Sequence, residues 1–445
     1  PPGPRGPVRI ARALLARPTE FFEACAREHG DAFSFVMGAV PCYVFTDPAA
    51  IEQLLVRSGG ALRKDMATRE LSTVLGRGLL ISEGERWRRA RRLAAPLLSR
   101  RHVEVYADAM TRASTRFLAR VRGELGRGDR DVHEDMMDLT LRIVSATLFG
   151  IELDADDRLA RVVSESVETI MARYNTGIFG LLRVLFGDRV PLPRDLLEAR
   201  QQLYDALDSL IEQRRAAPGG DDLLSRLLAA RDDDGAAMSP QQLRDESITM
   251  FIAGHETTAL TLTYAWWHVA RTPGVLPRLR AELDALDGRP GVEDLPRLPY
   301  TAALVNESLR LYPPAWCIGR ETLEDCVVAG YTIPRGAQIF LAPWLNHRDP
   351  RWFAEPLRFR PERWLGDLEA SLPRFAFFPF GGGPRVCIGN HFARMEAILV
   401  LATLARELVY RPTRPQLPEF HAAVTLRPAR AIPARPELRR SGAPA

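Results

Sequence analysis

The sequence predicts a mainly helical protein with a small β-rich region at one side. Three observations carry that reading. Helical hydrophobic patterning dominates from about Pro48 to Arg310. Strand-like runs are confined to a stretch near the start and another after the helical part. No internal repeat, low-complexity tract or long linker divides the 445 residues, so residues 1–445 are read as one domain.

The elements follow in order. Ala32–Val36 and Cys42–Thr46 read as two short strands around a Gly38 turn. Loops such as Ala217–Asp221 and Arg231–Gly235 interrupt the helical region. Ser239-Pro240-Gln241-Gln242 forms a capping box with proline at the first helical position. The helix it opens should run about 30 residues, to Thr272-Pro273-Gly274, long for a globular protein. A second helix spans Tyr300–Leu311 and is stopped by Pro313-Pro314. Val327–Ile333 and Gln338–Ala342 read as strands joined by Pro334-Arg335-Gly336 as a hairpin. A proline-rich irregular region covers Pro343 to Pro384, and a last helix follows Cys387.

Composition narrows the class. Hydrophobic residues make up 46% and charged residues 26%, enough to bury a large core. The formal charge of +4 argues against a nucleic-acid binder. Lys64 is the single lysine among 60 lysine and arginine residues, a bias that fits a GC-rich bacterial genome. The five cysteines, Cys25, Cys42, Cys317, Cys326 and Cys387, are odd in number and unpaired in spacing. They fit a reducing compartment. No apolar stretch approaches the roughly 18–20 residues of a stable membrane span. The chain begins at Pro1 and not at Met, which leaves a trimmed segment or an anchor ahead of Pro1-Pro2-Gly3-Pro4 open. The expectation is a cytoplasmic monomer.

The most informative segment is Phe380-Gly381-Gly382-Gly383-Pro384-Arg385-Val386-Cys387-Ile388-Gly389. Its glycines let the backbone approach a ligand closely. Cys387 precedes a helix, where unpaired amides and the dipole favour the metal-binding thiolate. A phosphate loop is excluded because Gly-x-x-x-x-Gly-Lys-Ser/Thr is absent. Zinc is disfavoured because no Cys or His stands at ligand spacing. A merely buried cysteine remains the plain alternative. The loop resembles the haem-binding signature of cytochromes P-450, matched at Phe380, Gly383, Arg385, Cys387 and Gly389, with its continuation at Ala393 and Glu396. The resemblance implies haem b (iron protoporphyrin IX) on the Cys387 thiolate, set between the long central helix and the cysteine loop. It also implies that Arg385 meets a haem propionate.

Midway along the long helix stands Ala253-Gly254-His255-Glu256-Thr257-Thr258. A mid-helix glycine costs about 1 kcal/mol relative to alanine, and paired threonines also disfavour helix. A sequence that opposes its own propensity there points to function. The zinc-protease motif His-Glu-x-x-His fails at Ala259. The segment resembles the family's oxygen-activation motif. That assigns Gly254 to an oxygen groove, Thr257 to the activating hydroxyl and Glu256 to a proton relay. A buried glutamate without a cation is rarely structural, which favours the functional reading of Glu256.

Glu307 and Arg310 share one helical face at i, i+3. Alone, such a pair is a solvated contact worth under about 1 kcal/mol. It matches the family's Glu-x-x-Arg, and Pro361-Glu362-Arg363-Trp364 matches the later Pro-Glu-Arg-aromatic segment, with Trp364 where Phe is usual. The resemblance implies a buried network of Glu307, Arg310 and Arg363 behind the haem. Trp87 and Arg91 match a Trp-x-x-x-Arg that meets a propionate, and Arg320 falls at a second propionate-binding position. Arg88, Arg89 and Arg92 would then be exposed on the cysteine side, where they would dock an acidic partner.

The matching motifs run from Trp87 to Glu396 in family order. They imply a monooxygenase that inserts one atom of dioxygen into a lipophilic small molecule. No reductase-like segment is present, so electrons are expected from a ferredoxin or flavodoxin with its NAD(P)H reductase. A peroxide-driven hydroxylase and a haem-binding sensor or carrier are the alternatives, and the Glu256-Thr257 pair argues against both. The resemblance places the pocket at Arg69–Leu80, Met171–Phe179, Met250–Thr257, Ala315–Ile318 and the tip near Val424. Met250, Phe251, Ala253, Trp316, Ile318 and Val424 are its named lining. Such a surface suits a fatty acid, a terpenoid or a polyketide. The Glu-Thr-Thr and Leu-Tyr-Pro-Pro wording resembles the branch of fatty-acid and terpene hydroxylases. Arg63 and Lys64 read as solvated charges, with a carboxylate anchor as the alternative.

Overall fold

The structure is a computed structural model that describes residues 1–58, 60–152, 158–175, 179, 182–183 and 186–439. The helices that build the site are α1 (Gly84–Ala94), α2 (Val132–Phe149), α3 (Pro240–Arg271), α4 (Pro299–Leu311) and α5 (Asn390–Ala405). The strands are β1 (Ala32–Met37), β2 (Val40–Phe45), β3 (Leu62–Lys64), β4 (Arg130–Asp131), β5 (Ile318–Thr322), β6 (Cys326–Val328), β7 (Tyr331–Ile333), β8 (Gln338–Leu341), β9 (Leu408–Pro412), β10 (Phe420–Ala422), β11 (Leu426–Pro428) and β12 (Pro433–Leu438).

The long helix is where the capping box placed it. Ser239 accepts the Gln242 N–H at 3.1 Å, and α3 runs 32 residues until the Thr272 N–H reaches His268 O, just before Pro273. It is buried on nearly every side, with α2, α4 and α5 packed around it. Leu260, Leu262 and Trp266 are fully enclosed, and Trp266 meets the Tyr410 ring edge-on at 5.4 Å. Each large apolar side chain so buried contributes about 1.5–3 kcal/mol. Packing therefore holds α3 together where Gly254 and its threonines weaken the propensity.

The principal sheet has the order β1-β2-β8-β5-β3. β1 and β2 pair antiparallel, β2 runs parallel to β8, and the edge strand β3 sets Lys64 opposite Arg320. One expectation is corrected here. Val327–Ile333 is not a single strand: Ala329 and Gly330 both take positive φ, 48° and 80°, and fold it into a β6–β7 hairpin. Two consecutive left-handed residues make the tight turn that joins twisted antiparallel strands. β8 pairs with β2 and β5, so Pro334-Arg335-Gly336 links two sheets. The C-terminal strands β9 to β12 had no forecast, yet β10 and β11 carry the hairpin that reaches α3.

Candidate functional site

A cavity of about 350 Å³ lies between the middle of α3 and the cysteine loop. Met250, Ala253, Gly254, Thr257 and Thr261 line it, spaced so that they fall on one helical stripe. Ala253 is accessible in the middle of an otherwise buried helix because its surface opens onto this space.

The opposite wall is the loop that ends at Cys387. Gly383 has φ +66°, and a Cβ there would stand 1.9 Å from Leu55 O, so no other residue fits. The Cys387 N–H donates to Phe380 O at 2.9 Å, and Arg91 donates to Val386 O at 2.7 Å. These bonds fix the loop so that the sulfur meets the cavity. Cys387 counts as accessible, but that surface faces the cavity while protein packs around it. The expected lowering of its thiol pKa is not found. Burial pushes the thiol up, and the Gly389 N–H with the Arg91 and Lys64 charges pulls it only partly back. The peptide surroundings by themselves do not make the thiolate, which a bound metal cation would stabilise.

Four cations line the cavity, Lys64, Arg91, Arg320 and Arg385, and none of its described lining residues is Asp or Glu. Burial and the neighbouring Arg320 and Arg385 push the Lys64 ammonium down to about 7. Burial lowers Arg320 and Arg91 as well, and takes Arg385 to about 10. Arg320 donates to Gly319 O at 2.7 Å, a carbonyl of its own strand. Arg385 stacks over the Trp87 ring at 3.9 Å, donates to Ser82 O at 2.8 Å and pairs with Glu83. An apolar chamber with a cysteine at one wall and an excess of enclosed cations fits a flat metal-bearing group with carboxylate arms. Lys64 is the cation that sequence reading missed. Its being the sole lysine was the available signal, and the solvated reading is corrected because β3 turns the side chain inward. Arg63, by contrast, pairs with Glu321 at 2.6 Å.

Glu256 is buried, but it has a cation. Its carboxylate accepts from Arg427 and from the Thr425 hydroxyl, both brought by the β10–β11 hairpin. Burial alone would raise its pKa, yet the hydrogen bond and charge of Arg427 outweigh that and hold it below the ordinary range. The argument from an unpaired buried acid therefore fails. Glu256 is not among the cavity's described lining residues, whereas Thr257 lines it and bonds back to Ala253 O at 2.6 Å. At Gly254 an added Cβ would meet only Val144 Cγ2 of α2, at 3.3 Å.

Glu307, Arg310 and Arg363 form the network that the family resemblance implied, and the solvated contact that the spacing alone suggested is not found. Two Arg310 nitrogens bond Glu307 at 2.8 Å, Arg363 Nε lies at 3.1 Å, and the Glu307–Arg310 pair is wholly buried. The Trp364 indole N–H adds a bond to Glu307 Oε2 at 2.8 Å, which gives the departure from Phe a purpose.

Three pocket forecasts are corrected. Phe251 sits one helical step off the lining stripe, packed on Phe149 and His255. Trp316 turns the other way, donating to Ala423 O at 2.9 Å and packing on Phe22. Val424 is 40% exposed and is not among the described lining residues. Met250, Ala253 and Ile318 do line the cavity, joined by Leu79 and Leu80 from the first predicted loop. Arg69, in that same loop, pairs with Glu321 at 2.6 Å. Of the Met171–Phe179 stretch, residues 176–178 lie outside the described residues. The docking surface also shrinks: Arg89 is bound by Asp232, Gln242 and two carbonyls, while Arg88 and Arg92 stay exposed and share Glu85.

Comparison with known proteins adds the rest. A family model described as Cytochrome P450 matches residues 1–432. The chain is similar to cyclooctatin synthase of Streptomyces melanosporofaciens, 34% identical over 441 residues, covering 94% of this chain and 92% of that protein. It is also 34% identical over 412 residues to pentalenene oxygenase of Streptomyces avermitilis, covering 91% and 89%. A plant relative, cytokinin hydroxylase of Arabidopsis thaliana, is 32% identical over 421 residues, covering 89% and 79%. No helix among the described residues is long and apolar enough to cross a membrane.

Proposed function

Because this chain belongs to the cytochrome P450 family, we propose that it holds haem b on Cys387 and hydroxylates a terpenoid. The chain is an oxidoreductase of the monooxygenase class. The observation that carries the site reading is that Cys387 and the Gly254–Thr257 stripe face each other across one cation-rimmed cavity.

The family's haem-thiolate group, when bound, supplies the redox chemistry that activates dioxygen. The chain does the rest. Cys387 would hold the group through its sulfur, and Lys64, Arg91, Arg320 and Arg385 would neutralise its carboxylate arms. Met250, Ala253, Leu79 and Leu80 exclude water and orient an apolar substrate. Gly254 leaves space beside the place such a group would take, and Thr257 would offer its hydroxyl there as a hydrogen-bonding group. Glu256 takes protons from the solvent side, where Arg427 is partly exposed, and passes them toward Thr257.

A neutral substrate is supported over a fatty acid because the four lining cations are claimed by the cofactor's own carboxylates. The relatives named for cyclooctatin and pentalenene point the same way. Electrons come from a separate ferredoxin or flavodoxin with its NAD(P)H reductase, which meets the Cys387 side where Arg88 and Arg92 remain accessible. The protein works as a cytoplasmic monomer, residues 1–445 acting as one unit.

The test is spectral. The ferrous carbon monoxide spectrum should show a thiolate-ligated haem, lost in Cys387→Ser. A neutral terpenoid should give a saturable high-spin shift that a long-chain fatty acid does not. A shift with the acid alone would overturn the substrate class, and no thiolate spectrum would overturn the site.

A further inference from the structure

The segment 76–82 leads into α1 and carries Leu79 and Leu80, which line the cavity. It lies close against the second turn of α3, and two glycines allow the approach. A Cβ at Gly76 would stand 2.2 Å from Asp245 Oδ1, and one at Gly78 would stand 2.2 Å from Thr249 Oγ1 and 2.4 Å from Asp245 O. Two neighbouring carboxylates of α3 then take two alternate amides of the segment. The Arg77 N–H donates to Asp245 Oδ2 at 2.9 Å, and the Leu79 N–H donates to Glu246 Oε2 at 2.8 Å.

The two acids are not alike. Asp245 also pairs with Arg86 of α1 at 3.0 Å, so a cation answers its charge. Glu246 is 1% exposed, has no ion pair among the described residues and accepts the Leu79 amide. Burial pushes its carboxyl up to about 7, while the Leu79 amide and Arg86 pull it down and Asp245 pushes it up. Those are the groups that act on it: Asp245 on its own helix, Arg86 on α1, and from the segment only an amide. A glutamine would accept the same bond at a lower cost of burial. What the acid adds is a proton that comes and goes.

We propose that Glu246 is a positioning residue that sets the Leu79–Leu80 wall of the cavity by holding the Leu79 amide, and so selects which apolar ligands fit. Gly254 lies about two turns further along the same helix. One rigid element therefore places both the groove and the wall that closes over it. Set free in water, Glu246 would return toward the ordinary carboxylate range, so docking of the segment takes up a proton. The clasp is tightest at low pH and slackens as pH rises through about 7. That the ligand selected there is a substrate rests on the monooxygenase reading; the clasp itself does not.

Hydrogen exchange of the holoenzyme tests the clasp directly, read on peptides covering residues 76–82 and corrected for the intrinsic effect of pH. The Leu79 amide should be protected in the wild type and exchange about fivefold faster in Glu246→Met, the worth of one hydrogen bond. Glu246→Gln keeps an acceptor and should restore protection. Wild-type protection should fall as pH rises through 7, and the Gln variant should be flat. Spectral titration tests the use of the clasp, with imidazole and 4-phenylimidazole as iron-binding probes. Glu246→Met should bind the phenyl probe about fivefold more weakly, because the wall must be ordered again on binding. Imidazole affinity should not change, and Glu246→Gln should bind both probes as the wild type does. An unprotected Leu79 amide in the wild type, or equal pH profiles in the wild type and Glu246→Gln, overturns the proposal. So does unaltered binding of the phenyl probe in Glu246→Met. If Glu246→Met fails to take up haem, the pH profiles of the wild type and Glu246→Gln decide. A wild type without a thiolate spectrum, yet with a protected and pH-sensitive Leu79 amide, would sink the monooxygenase reading and leave the clasp standing.

Discussion

Lys64 and Arg320 stand directly opposite each other across β3 and β5, so the register of one short edge strand fixes two cations side by side at the cavity wall. Neither has a carboxylate from the lining to answer it. Like charges held together in an enclosed space are a cost that Asp65 and Glu83 offset in part and an anionic ligand would offset further.

Lys64→Gln should therefore weaken haem retention, read as the rate of haem transfer to an acceptor protein. The loss of one enclosed charge-assisted contact corresponds to roughly tenfold. The sign in pH follows from the group. A charged lysine is what holds an ionised carboxylate arm, so its contribution is complete below the lysine's pKa while the arm stays ionised, and disappears as pH rises through that pKa. That value is about 7 with Asp65 and Glu83 nearby and higher with a carboxylate arm added, so wild-type retention should decline on the alkaline side of 7. The variant should be flat over the same range, and equal alkaline decline in both would refute the assignment.

The indole bond from Trp364 to Glu307 predicts a graded series. Trp364→Phe removes one donor to a buried carboxylate and should cost about 1–3 kcal/mol. Arg310→Ala strands that carboxylate and should cost about 3–5 kcal/mol, with loss of haem incorporation. Denaturant midpoints measure both, and an unaltered midpoint in Trp364→Phe would mean the tryptophan only fills space.

Arg427 holds Glu256 ionised, and its removal should be felt twice. The folded pKa of Glu256 is depressed, so its stabilising effect is present above the unfolded value and fades as pH falls through the folded one. Arg427→Met should cost about 3–5 kcal/mol near neutral pH because a carboxylate is left buried and unpaired. Adding Glu256→Gln should recover most of that loss. In turnover, the acid limb of the pH profile should move upward in Arg427→Met. An unmoved limb would separate Glu256 from proton delivery.

How far the sequence could reach is visible in these residues. The Cys387 loop, the capping box that opens the long helix and the Glu307–Arg310 spacing were legible because each is written within ten or so consecutive positions, although the burial of that pair came only from the family resemblance. Arg427 was not, since its contact with Glu256 joins positions 171 apart and depends on a short hairpin with little pattern of its own. Lys64 likewise needed the β3–β5 register before its burial could be seen. The error at Phe251 was not avoidable: it stands three residues before Gly254, close enough to the lining stripe for spacing to allow it, and only its packing on Phe149 and His255 takes it out of the cavity.

Gly254 offers a last separation, between stability and catalysis. The glycine sits in the interior of α3, where alanine is favoured by about 1 kcal/mol. The added methyl would meet Val144 Cγ2 at 3.3 Å, a contact tight enough to need a small shift and loose enough to allow one. Gly254→Ala should therefore fold as well as the wild type or better, by up to about 1 kcal/mol in denaturant unfolding. The same methyl narrows the space beside Thr257, and crowding of about 1–2 kcal/mol would slow ligand entry roughly tenfold. Flash photolysis of the carbon monoxide complex reads that entry without needing a substrate. Val144→Ala in the same chain relieves the contact and should return part of the rate. If Gly254→Ala lost stability and rebinding together, the glycine would be there for helix packing, and its place in the oxygen groove would have to be given up.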